Sequence, residues 1–293
     1  MKVAIYGQTY YDTALDYVVE LLDELKIVDA EVYFEQNFLE LLSNSQDLGK
    51  FNTYTNSSGL DGTFDMFVSF GGDGTILRAI TYVRDLGIPI VGVNTGRLGF
   101  LSTFKKEDVR KVVTEFMSGA YNIVERSLVQ VETKPETDEF KAMNFALNEI
   151  TVSRKDTTSM IMVETYLNEE YLTSYWADGL IVATPTGSTG YSLSCGGPVI
   201  EPMVKSLILT PIAPHNLSAR PLVISDNTVI RLSVSGREEN HLISLDSRIA
   251  TVENGTEIIV KKAGFTIKMI EYTSESFLKT LRNKLLWGED KRN

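Results

Sequence analysis

The sequence contains one cysteine, Cys195, among its 293 residues. A single thiol cannot form a disulfide within the chain, so we expect no disulfide framework and a reducing, cytoplasmic location. Basic residues are also few, because 28 Lys and Arg stand against 39 Asp and Glu and give a net charge of −11. Nucleic acids and anionic membranes bind cationic surfaces. We therefore expect neither as a partner, and a polyanionic substrate would need a locally built site.

Long apolar runs are missing as well. No stretch of about 20 uncharged apolar residues occurs, so we expect no membrane-spanning helix. Near the N-terminus, the polar residues Gln8 and Thr9 interrupt the apolar run before the core of a signal peptide is complete. The chain has only 2 histidines, and neither has a sequence context typical of a catalytic base. We therefore interpret Cys195 as a packing residue and not as a nucleophile.

The first part of the chain, residues 1–103, alternates short apolar runs with helical periodicity. This alternation predicts an α/β domain with a Rossmann-like parallel sheet and crossover helices. The polar stretch 44–63 is interpreted as a long loop. The predicted strands are 3–6, 31–34, 65–70 and 88–93, and the predicted helices are 14–25 and 75–86.

The pattern changes in residues 104–272. After a helix predicted over 107–117, short alternating strands separated by turns indicate an all-β, sandwich-like domain. A C-terminal helix, residues 273–293, is expected to begin at a Ser274 cap, to end near Trp287, and to pack back on the N-terminal domain. The predicted strands are 127–133, 148–153, 160–167, 171–176, 179–183, 207–211, 228–235, 241–245, 257–262 and 266–272, with a hairpin tip at 168–170.

The segment 71–75, GGDGT, lies between a predicted strand and a predicted helix. A glycine-rich turn at that place lets phosphate oxygens approach the backbone, and the N-terminus of the helix favours negative charge. The segment is not a Walker loop, which would need Gly-Lys-Ser/Thr, nor a dinucleotide fingerprint, because Leu77 stands where a third small residue is needed. It predicts a phosphate site of another kind.

Asp73 is unusual in a phosphate-binding turn, because a carboxylate repels phosphate unless it binds a metal or accepts a proton. Phosphoryl-transfer enzymes use aspartate to accept the proton of an attacking hydroxyl. The alternative is that Asp73 only caps the following helix. Arg78, one turn into that helix, is interpreted either as a phosphate contact or as a surface charge.

Two further turns contain chemistry-bearing residues. The segment 92–101, GVNTGRLGFL, follows the next strand of the same predicted sheet. In open α/β sheets ligands bind beyond the carboxyl ends of the strands, so this turn is expected to share a crevice with GGDGT, unless it is a plain inter-domain turn. The segment 178–198 is dense in Gly, Ser and Thr, whose hydroxyls and amides bind ribose and phosphate without charge, although a surface loop has a similar composition.

These motifs, together with Asn148-Glu149, occur in the order and spacing of NAD kinases, and the chain resembles that family over nearly its whole length. GGDGT alone is shared with diacylglycerol and sphingosine kinases and, loosely, with phosphofructokinases; segment 178–198 is far more specific. The resemblance implies that the protein phosphorylates the 2′-hydroxyl of the adenosine ribose of NAD, with ATP or polyphosphate as donor and Mg²⁺ on the donor. It also implies NAD in a cleft between the domains and a homodimer or homotetramer.

The resemblance implies roles for individual residues. Asp73 would accept the proton of the ribose hydroxyl, Gly74 would lie against the substrate, and Arg78 occupies a position where some members place a basic contact. Asn148 would contact NAD through its amide, and Glu149 would help with the metal through its carboxylate. The remaining expected NAD contacts are Asp178, Thr186, Thr189, Gly190, Tyr191, Ser192, Leu193 and Ser194.

The chain departs from the family pattern at several of these positions. Gly190 stands where alanine is common. Arg248 stands where some members have a contacting glutamine, and an arginine there would meet a phosphate or pair with Asp246. Ser159 and Trp176 vary between branches of the family, so no contact is assigned to either.

Two alternative functions remain open from the sequence. A lipid or sugar kinase would share only the aspartate-glycine turn. A non-catalytic NAD(H)- or NADP(H)-binding sensor would bind the dinucleotide without forming NADP.

Overall fold

The computed structural model describes residues 1–8, 14–45, 47–96, 99–102, 104–156, 159–273 and 276–286. It divides into two compact units. The first, which we call the α/β unit, comprises Met1–Glu125 and Ile267–Asn293, and the second, the β unit, comprises Arg126–Thr266. The sequence placed the first boundary at residue 103, whereas the chain enters the β unit at residue 126.

The α/β unit contains the alternation of strands and helices that the N-terminal sequence predicts. Its elements up to the fourth helix are β1 (Lys2–Gly7), α1 (Ala14–Ile27), β2 (Glu31–Glu35), α2 (Gln36–Ser43), β3 (Asn52–Tyr54), β4 (Met66–Phe70), α3 (Asp73–Val83), β5 (Ile90–Asn94), β6 (Phe104–Lys105) and α4 (Val109–Ser118).

Strands of this unit form a parallel sheet in the order β3-β2-β1-β4-β5, with β6 beside β5. Val3 is in register with Met66, and Phe67 with Ile90. The chain order reverses between β1 and β4, which makes the carboxyl ends of these two strands the topological switch point where open α/β sheets bind ligands. The core of the unit lies between the sheet and the helices α1, α2 and α4 that pack on it.

The β unit is built of short antiparallel strands. Its elements are β7 (Tyr121–Lys134), β8 (Phe145–Ala146), β9 (Glu149–Arg154), β10 (Ile161–Leu167), β11 (Glu170–Ala177), β12 (Gly179–Ala183), α5 (Tyr191–Ser194), β13 (Ser206–Ile212), β14 (Leu222–Ser225), β15 (Ile230–Gly236), β16 (Asn240–Leu245), β17 (Arg248–Glu253) and β18 (Glu257–Tyr272). The strands β7 and β18 each begin in one unit and end in the other.

Two layers of strands enclose the core of the β unit. One layer has the order β14-β13-β12-β9-β16-β17, and the other contains β11-β10-β15-β18. Alternate residues of both layers are fully buried in one cluster, for example Val152 and Val182 from the first layer with Val163 and Leu232 from the second. This arrangement confirms the predicted fold class, an α/β domain followed by a sandwich-like β domain.

Several predicted elements are wrong in detail. The stretch 44–63 contains the edge strand β3, and the predicted strands 257–262 and 266–272 form one continuous strand, β18. The helix predicted over 75–86 begins at Asp73 and ends at Val83. The hairpin tip is confirmed, because Asn168 and Glu169 both have positive φ, as a tight two-residue turn requires.

The last helix, α6 (Phe277–Leu285), belongs to the α/β unit. The side chain of Ser276 caps it by accepting a hydrogen bond from the backbone N–H of Lys279. The predicted cap, Ser274, and the predicted end, Trp287, lie outside the described residues. Among the described helices, none has the length and apolar character needed to cross a membrane.

Candidate functional site

The GGDGT turn follows β4 directly, at the topological switch point of the α/β unit. Gly71 has φ +151°, and a Cβ at this residue would lie 2.1 Å from Oγ1 of Thr75. Glycine is therefore required both for the backbone conformation and for the close approach. The carbonyl of Gly72 accepts hydrogen bonds from the N–H groups of Thr75 and Ile76, which starts helix α3. The turn thus presents the N-terminus of a helix at this edge of the sheet.

The carboxylate of Asp73 does not cap α3, and its hydrogen bonds go to the turn after β5. Asp73 Oδ2 accepts from Phe100 N at 2.7 Å. Asp73 Oδ1 accepts from Leu101 N at 3.0 Å, from Ser102 N at 3.1 Å and from Ser102 Oγ at 3.2 Å. We call residues 99–102 the amide cradle. Since Oδ1 already has three donors and Oδ2 has one among the described residues, Oδ2 retains a lone pair for another donor.

On the side of Gly99, the amide cradle leaves no space beside Oδ1 of the carboxylate. A Cβ on Gly99 would lie 1.7 Å from Asp73 Oδ1. The buried side chain of Asn94 donates to Ser102 Oγ at 3.0 Å and accepts from Gly96 N at 2.7 Å, so the turn is fixed by its own first residue. Arg97 and Leu98 of the same motif lie outside the described residues. The structure therefore brings the first two sequence motifs together around one carboxylate.

Gly74 and Arg78 lie further along α3. Gly74 is exposed, and a Cβ there would meet no atom within 4 Å. The exposed Arg78 donates to the side-chain oxygen of Gln8, at 2.9 Å from Nε and 3.2 Å from Nη1, when the amide is oriented to satisfy these donors. Gln8 follows β1, the other strand of the switch point. Gln8 was not among the predicted site residues, because a lone glutamine after a strand has no distinguishing sequence pattern.

In the β unit, the predicted pair Asn148-Glu149 precedes and begins strand β9. The backbone N–H of Asn148 donates to Asp246 Oδ1 at 2.9 Å, and its carbonyl accepts from Thr184 N at 2.8 Å. Glu149 is only 9% exposed, and no described residue bonds to its Oε2. The pKa of Glu149 is raised to about 8, mainly by burial and also by the negative charge of Asp246, while a hydrogen bond from the backbone N–H of Tyr191 opposes the rise.

Replacing Glu149 with Gln is expected to stabilise the β unit in a pH-dependent way. The folded-state pKa of about 8 exceeds the unfolded value of 4.5, so the folded state holds the proton more tightly. The stability that this proton provides is complete below pH 4.5 and is lost as pH rises toward about 8. Glutamine keeps the neutral shape without the titration, so its advantage over the native residue grows across this window.

Melting temperatures between pH 5 and pH 8.5 test this expectation. The difference between Glu149→Gln and the native chain should reach roughly 5 °C at the alkaline end, since a few kcal/mol shift the midpoint of a domain of this size by that much. The exposed Glu170 of the same unit provides the matched control, because Glu170→Gln should leave the melting temperature within about 1 °C at every pH. A constant difference at every pH would contradict the assignment.

The segment that follows β12 packs against Asn148. Thr184 Oγ1 donates to Leu147 O at 2.6 Å and accepts from Gly187 N at 3.1 Å. A Cβ on Gly187 would lie 2.0 Å from Asn148 O, so glycine allows the two backbones to touch. The part of segment 178–198 that follows β12 is therefore packed against Leu147 and Asn148, although its composition is similar to that of a surface loop.

The predicted contact residues of this segment differ in accessibility. Tyr191 is 45% exposed, and Ser194 is also exposed. Thr186 is 7% exposed, with an Oγ1 that bonds to no described residue. Ser192 is fully buried, and its hydroxyl forms a 2.8 Å hydrogen bond with Thr210 Oγ1. The half-exposed residues are Thr189, Gly190 and Leu193.

Two charged residues of the predicted site have protein partners. Asp178 forms an ion pair with Arg154 at 3.0 Å, with each side chain about 30% exposed. Arg248 donates to the carbonyls of Met143, at 2.8 Å, and Phe145, and its guanidinium lies 5.4 Å from the Phe145 ring centroid. Burial lowers the pKa of Arg248, and the charge of Asp246 opposes this. Its hydrogen bonds thus go to backbone carbonyls.

Family models match both halves of the chain. A model described as the ATP-NAD kinase N-terminal domain matches residues 3–121, and one described as the ATP-NAD kinase C-terminal domain matches residues 147–272. Relatives called NAD kinase match the full length of both chains. The relatives from Christiangramia forsetii and Flavobacterium johnsoniae are each 55% identical over 294 residues, and one from Bacteroides fragilis is 39% identical over 293 residues.

Two solved structures are also similar to this chain over nearly its whole length. Yeast NADH kinase complexed with NADH is 26% identical with a TM-score of 0.86, covering 99% of this chain and 88% of that one. An NAD kinase from Archaeoglobus fulgidus in complex with ATP is 28% identical with a TM-score of 0.74, covering 97% of each chain.

Proposed function

This chain belongs to the NAD kinase family of phosphotransferases, and we propose that Asp73 is the group that accepts the proton of the ribose hydroxyl in its reaction. The reaction transfers a phosphoryl group from ATP to the 2′-hydroxyl of the adenosine ribose of NAD. The observation that supports the role of Asp73 is its carboxylate geometry. Four hydrogen bonds from the amide cradle fix the group, and Oδ2 accepts from only one donor among the described residues.

The chemistry follows from that geometry. As the new P–O bond forms, the 2′-hydroxyl loses its proton to Asp73 Oδ2, and the bond between the transferred phosphoryl group and the donor breaks. The transition state of phosphoryl transfer needs mainly positioning and electrostatic stabilisation. A carboxylate held by three backbone N–H groups requires little reorganisation when the hydroxyl arrives. The N-terminus of α3 supplies a favourable field for the phosphates of the substrates.

Mg²⁺ is proposed to enter with the phosphoryl donor. Among the described residues, no group of three or more His, Cys, Asp or Glu side chains is arranged to hold a metal. This suits Mg²⁺, which commonly keeps several waters and binds substrate phosphates with one or two carboxylates. Bound there, Mg²⁺ would neutralise charge on the donor phosphates.

The contacts to NAD are proposed residue by residue. Asn148 would bind through its side-chain amide, and Gly74 and Arg78 would lie against the substrates. Tyr191 would contact the adenine or ribose through its exposed ring. The proposed contacts also include Glu149, Asp178, Thr186, Thr189, Gly190, Ser192, Leu193, Ser194 and Arg248. For Ser192 and Arg248 the proposal is limited to backbone atoms or a rearranged side chain, because their polar side-chain atoms bond within the protein.

One assay tests the proposed reaction. The purified chain is incubated with Mg²⁺, a phosphoryl donor and NAD, and NADP is measured with an NADP-specific dehydrogenase. Separate arms replace ATP with polyphosphate, and NAD with NADH, diacylglycerol or fructose 6-phosphate; with these other acceptors, transfer from ATP is measured as ADP formation. NADP formation is the expected result. Phosphorylation of diacylglycerol or the sugar alone would indicate a lipid or sugar kinase, and NAD binding without NADP formation would indicate a sensor.

We further propose a cytoplasmic homodimer or homotetramer. The single cysteine suits a reducing compartment, and the family resemblance suits a homo-oligomer. Sedimentation of the purified chain would give the subunit number, and a single monomeric species at micromolar concentration would contradict the homo-oligomer.

A further inference from the structure

Asp246 is a half-buried residue of the β unit whose carboxylate the proposed reaction does not use. It lies in the turn between β16 and β17 with φ 52°. Its carboxylate accepts three consecutive backbone N–H groups, from Leu147 at 3.0 Å, Asn148 at 2.9 Å and Glu149 at 3.2 Å. In the opposite direction, Asp246 N donates to Glu149 O at 3.0 Å. The turn therefore fixes the backbone of residues 147–149, which include the proposed NAD-binding residue Asn148.

Thr184 donates hydrogen bonds to the two remaining backbone carbonyls of the same segment. Thr184 N donates to Asn148 O at 2.8 Å, and Thr184 Oγ1 donates to Leu147 O at 2.6 Å. All three N–H groups and all three carbonyls of residues 147–149 are thus bonded to Asp246 or Thr184. A backbone fixed at every polar group cannot rotate to redirect the Asn148 side chain without breaking several hydrogen bonds.

At position 246, only a side chain that accepts hydrogen bonds and donates none fits its surroundings. Three N–H groups converge on its two oxygens, and an asparagine amide would direct its own N–H groups at some of them. Burial raises the pKa of Asp246, while the three amides and Arg248 counteract the rise. The guanidinium of Arg248 is in turn held by the carbonyls of Met143 and Phe145. The three backbone N–H groups and the guanidinium of Arg248 therefore compensate the negative charge of the Asp246 carboxylate.

We propose that Asp246, together with Thr184, is a positioning residue for NAD binding. It fixes the backbone of Asn148 so that the side-chain amide is already oriented when NAD arrives, and Asp246 itself does not touch the substrate. Prior ordering of a contact group lowers the entropic cost of binding. This inference rests on the proposed contact between Asn148 and NAD.

The experiment compares Asp246→Asn with Asp226→Asn. Asp226 is the control because its carboxylate is likewise hydrogen-bonded within the same unit, is 4% exposed, and has a different partner, Lys262, at 2.6 Å. For Asp246→Asn we expect KM for NAD to rise about tenfold or more, since several hydrogen bonds that orient Asn148 are weakened, with KM for ATP changed less than about twofold. For Asp226→Asn we expect both KM values to stay within about twofold of the native values.

A second pair covers the case in which Asp246→Asn does not fold. Thr184→Val removes the hydroxyl that bonds Leu147 O, and Thr184→Ser keeps it. We expect Thr184→Val to raise KM for NAD selectively and Thr184→Ser to restore most of the affinity. Circular dichroism confirms that each variant is folded before its kinetics are measured.

Calorimetric titration of NAD separates this proposal from the proposed function. A native chain that binds NAD and forms no NADP would overturn the function, while the dissociation constants of the variants would still test the positioning role. A folded Asp246→Asn or Thr184→Val chain with native affinity for NAD, or an equal loss in Asp226→Asn, would overturn the positioning role. A native chain that binds no NAD would overturn both.

Discussion

Asp73→Asn is expected to lower kcat for NADP formation by about 10³-fold, because removal of a positioned proton acceptor typically costs 10²–10⁴-fold. An asparagine amide cannot accept the proton of the 2′-hydroxyl. It also directs N–H groups toward an amide cradle made of donors, so the melting temperature should fall by a few degrees, about the effect of one lost hydrogen bond. Affinity for NAD should change little. Steady-state kinetics, calorimetric titration and thermal melting measure the three effects.

Ser102→Ala is the control for this experiment. It removes one donor to Asp73 Oδ1, at 3.2 Å, and one acceptor of the Asn94 amide, and it leaves the carboxylate in place. We expect kcat to fall by less than about tenfold, because the three backbone N–H donors still hold the carboxylate in place. Turnover of Asp73→Asn close to that of the native chain would remove Asp73 from the reaction.

Gly99→Ala is expected to lower kcat by about 10²-fold or more while the aspartate remains. A Cβ at this residue would overlap Asp73 Oδ1 at 1.7 Å. Since the carboxylate is held by four hydrogen bonds, it must leave the amide cradle, and a shift of about 1 Å in a catalytic group costs on the order of 10²-fold. The kcat of the purified, folded variant is the measurement.

Gly96→Ala is the matched control in the same turn, because a Cβ at Gly96 would meet no atom within 4 Å. Its kcat should stay within about twofold of the native value, as for most surface substitutions. Equal losses in the two variants would mean that the turn tolerates no side chain, and the position of the carboxylate would not explain the effect of Gly99→Ala.

The strand-to-helix placement of GGDGT could be predicted because its causes are local. Apolar residues before the turn and helical periodicity after it predict β4 and α3, and Gly71 adopts a backbone conformation that other residues rarely adopt. The partners of Asp73 could not be predicted in the same way. Its hydrogen bonds reach residues 27 to 29 positions later in the chain, and they depend on β5 ending beside β4.

The hydrogen-bond partners of Asp246 in the β unit could not be predicted either, because they too are distant in the sequence. In the sequence it is an aspartate in a turn between alternating strands, where aspartate is common because it tolerates positive φ. Its role depends on Leu147, Asn148 and Glu149, which are about a hundred positions earlier. Ser192 is a related case, because a hydroxyl in a Gly- and Ser-rich segment resembles a ligand contact, although its partner is Thr210.

Elements that contain few apolar residues were also hard to predict. Among the described strands, β3 pairs only with β2, and two of its three residues are exposed, so the sequence lacks the apolar run of a buried strand. The predicted strands 257–262 and 266–272 leave a break that contains Gly264, whereas the backbone of β18 remains extended through it. A glycine has the freedom to turn, but tertiary pairing decides whether it does.

A crystal structure of the chain with NAD bound tests the central claim most directly. The proposal predicts Asp73 Oδ2 within hydrogen-bond distance, about 3 Å, of the 2′-oxygen of the adenosine ribose, with Oδ1 still bonded to Leu101 and Ser102. A well-ordered complex in which this carboxylate points away from the adenosine ribose in every copy would contradict it.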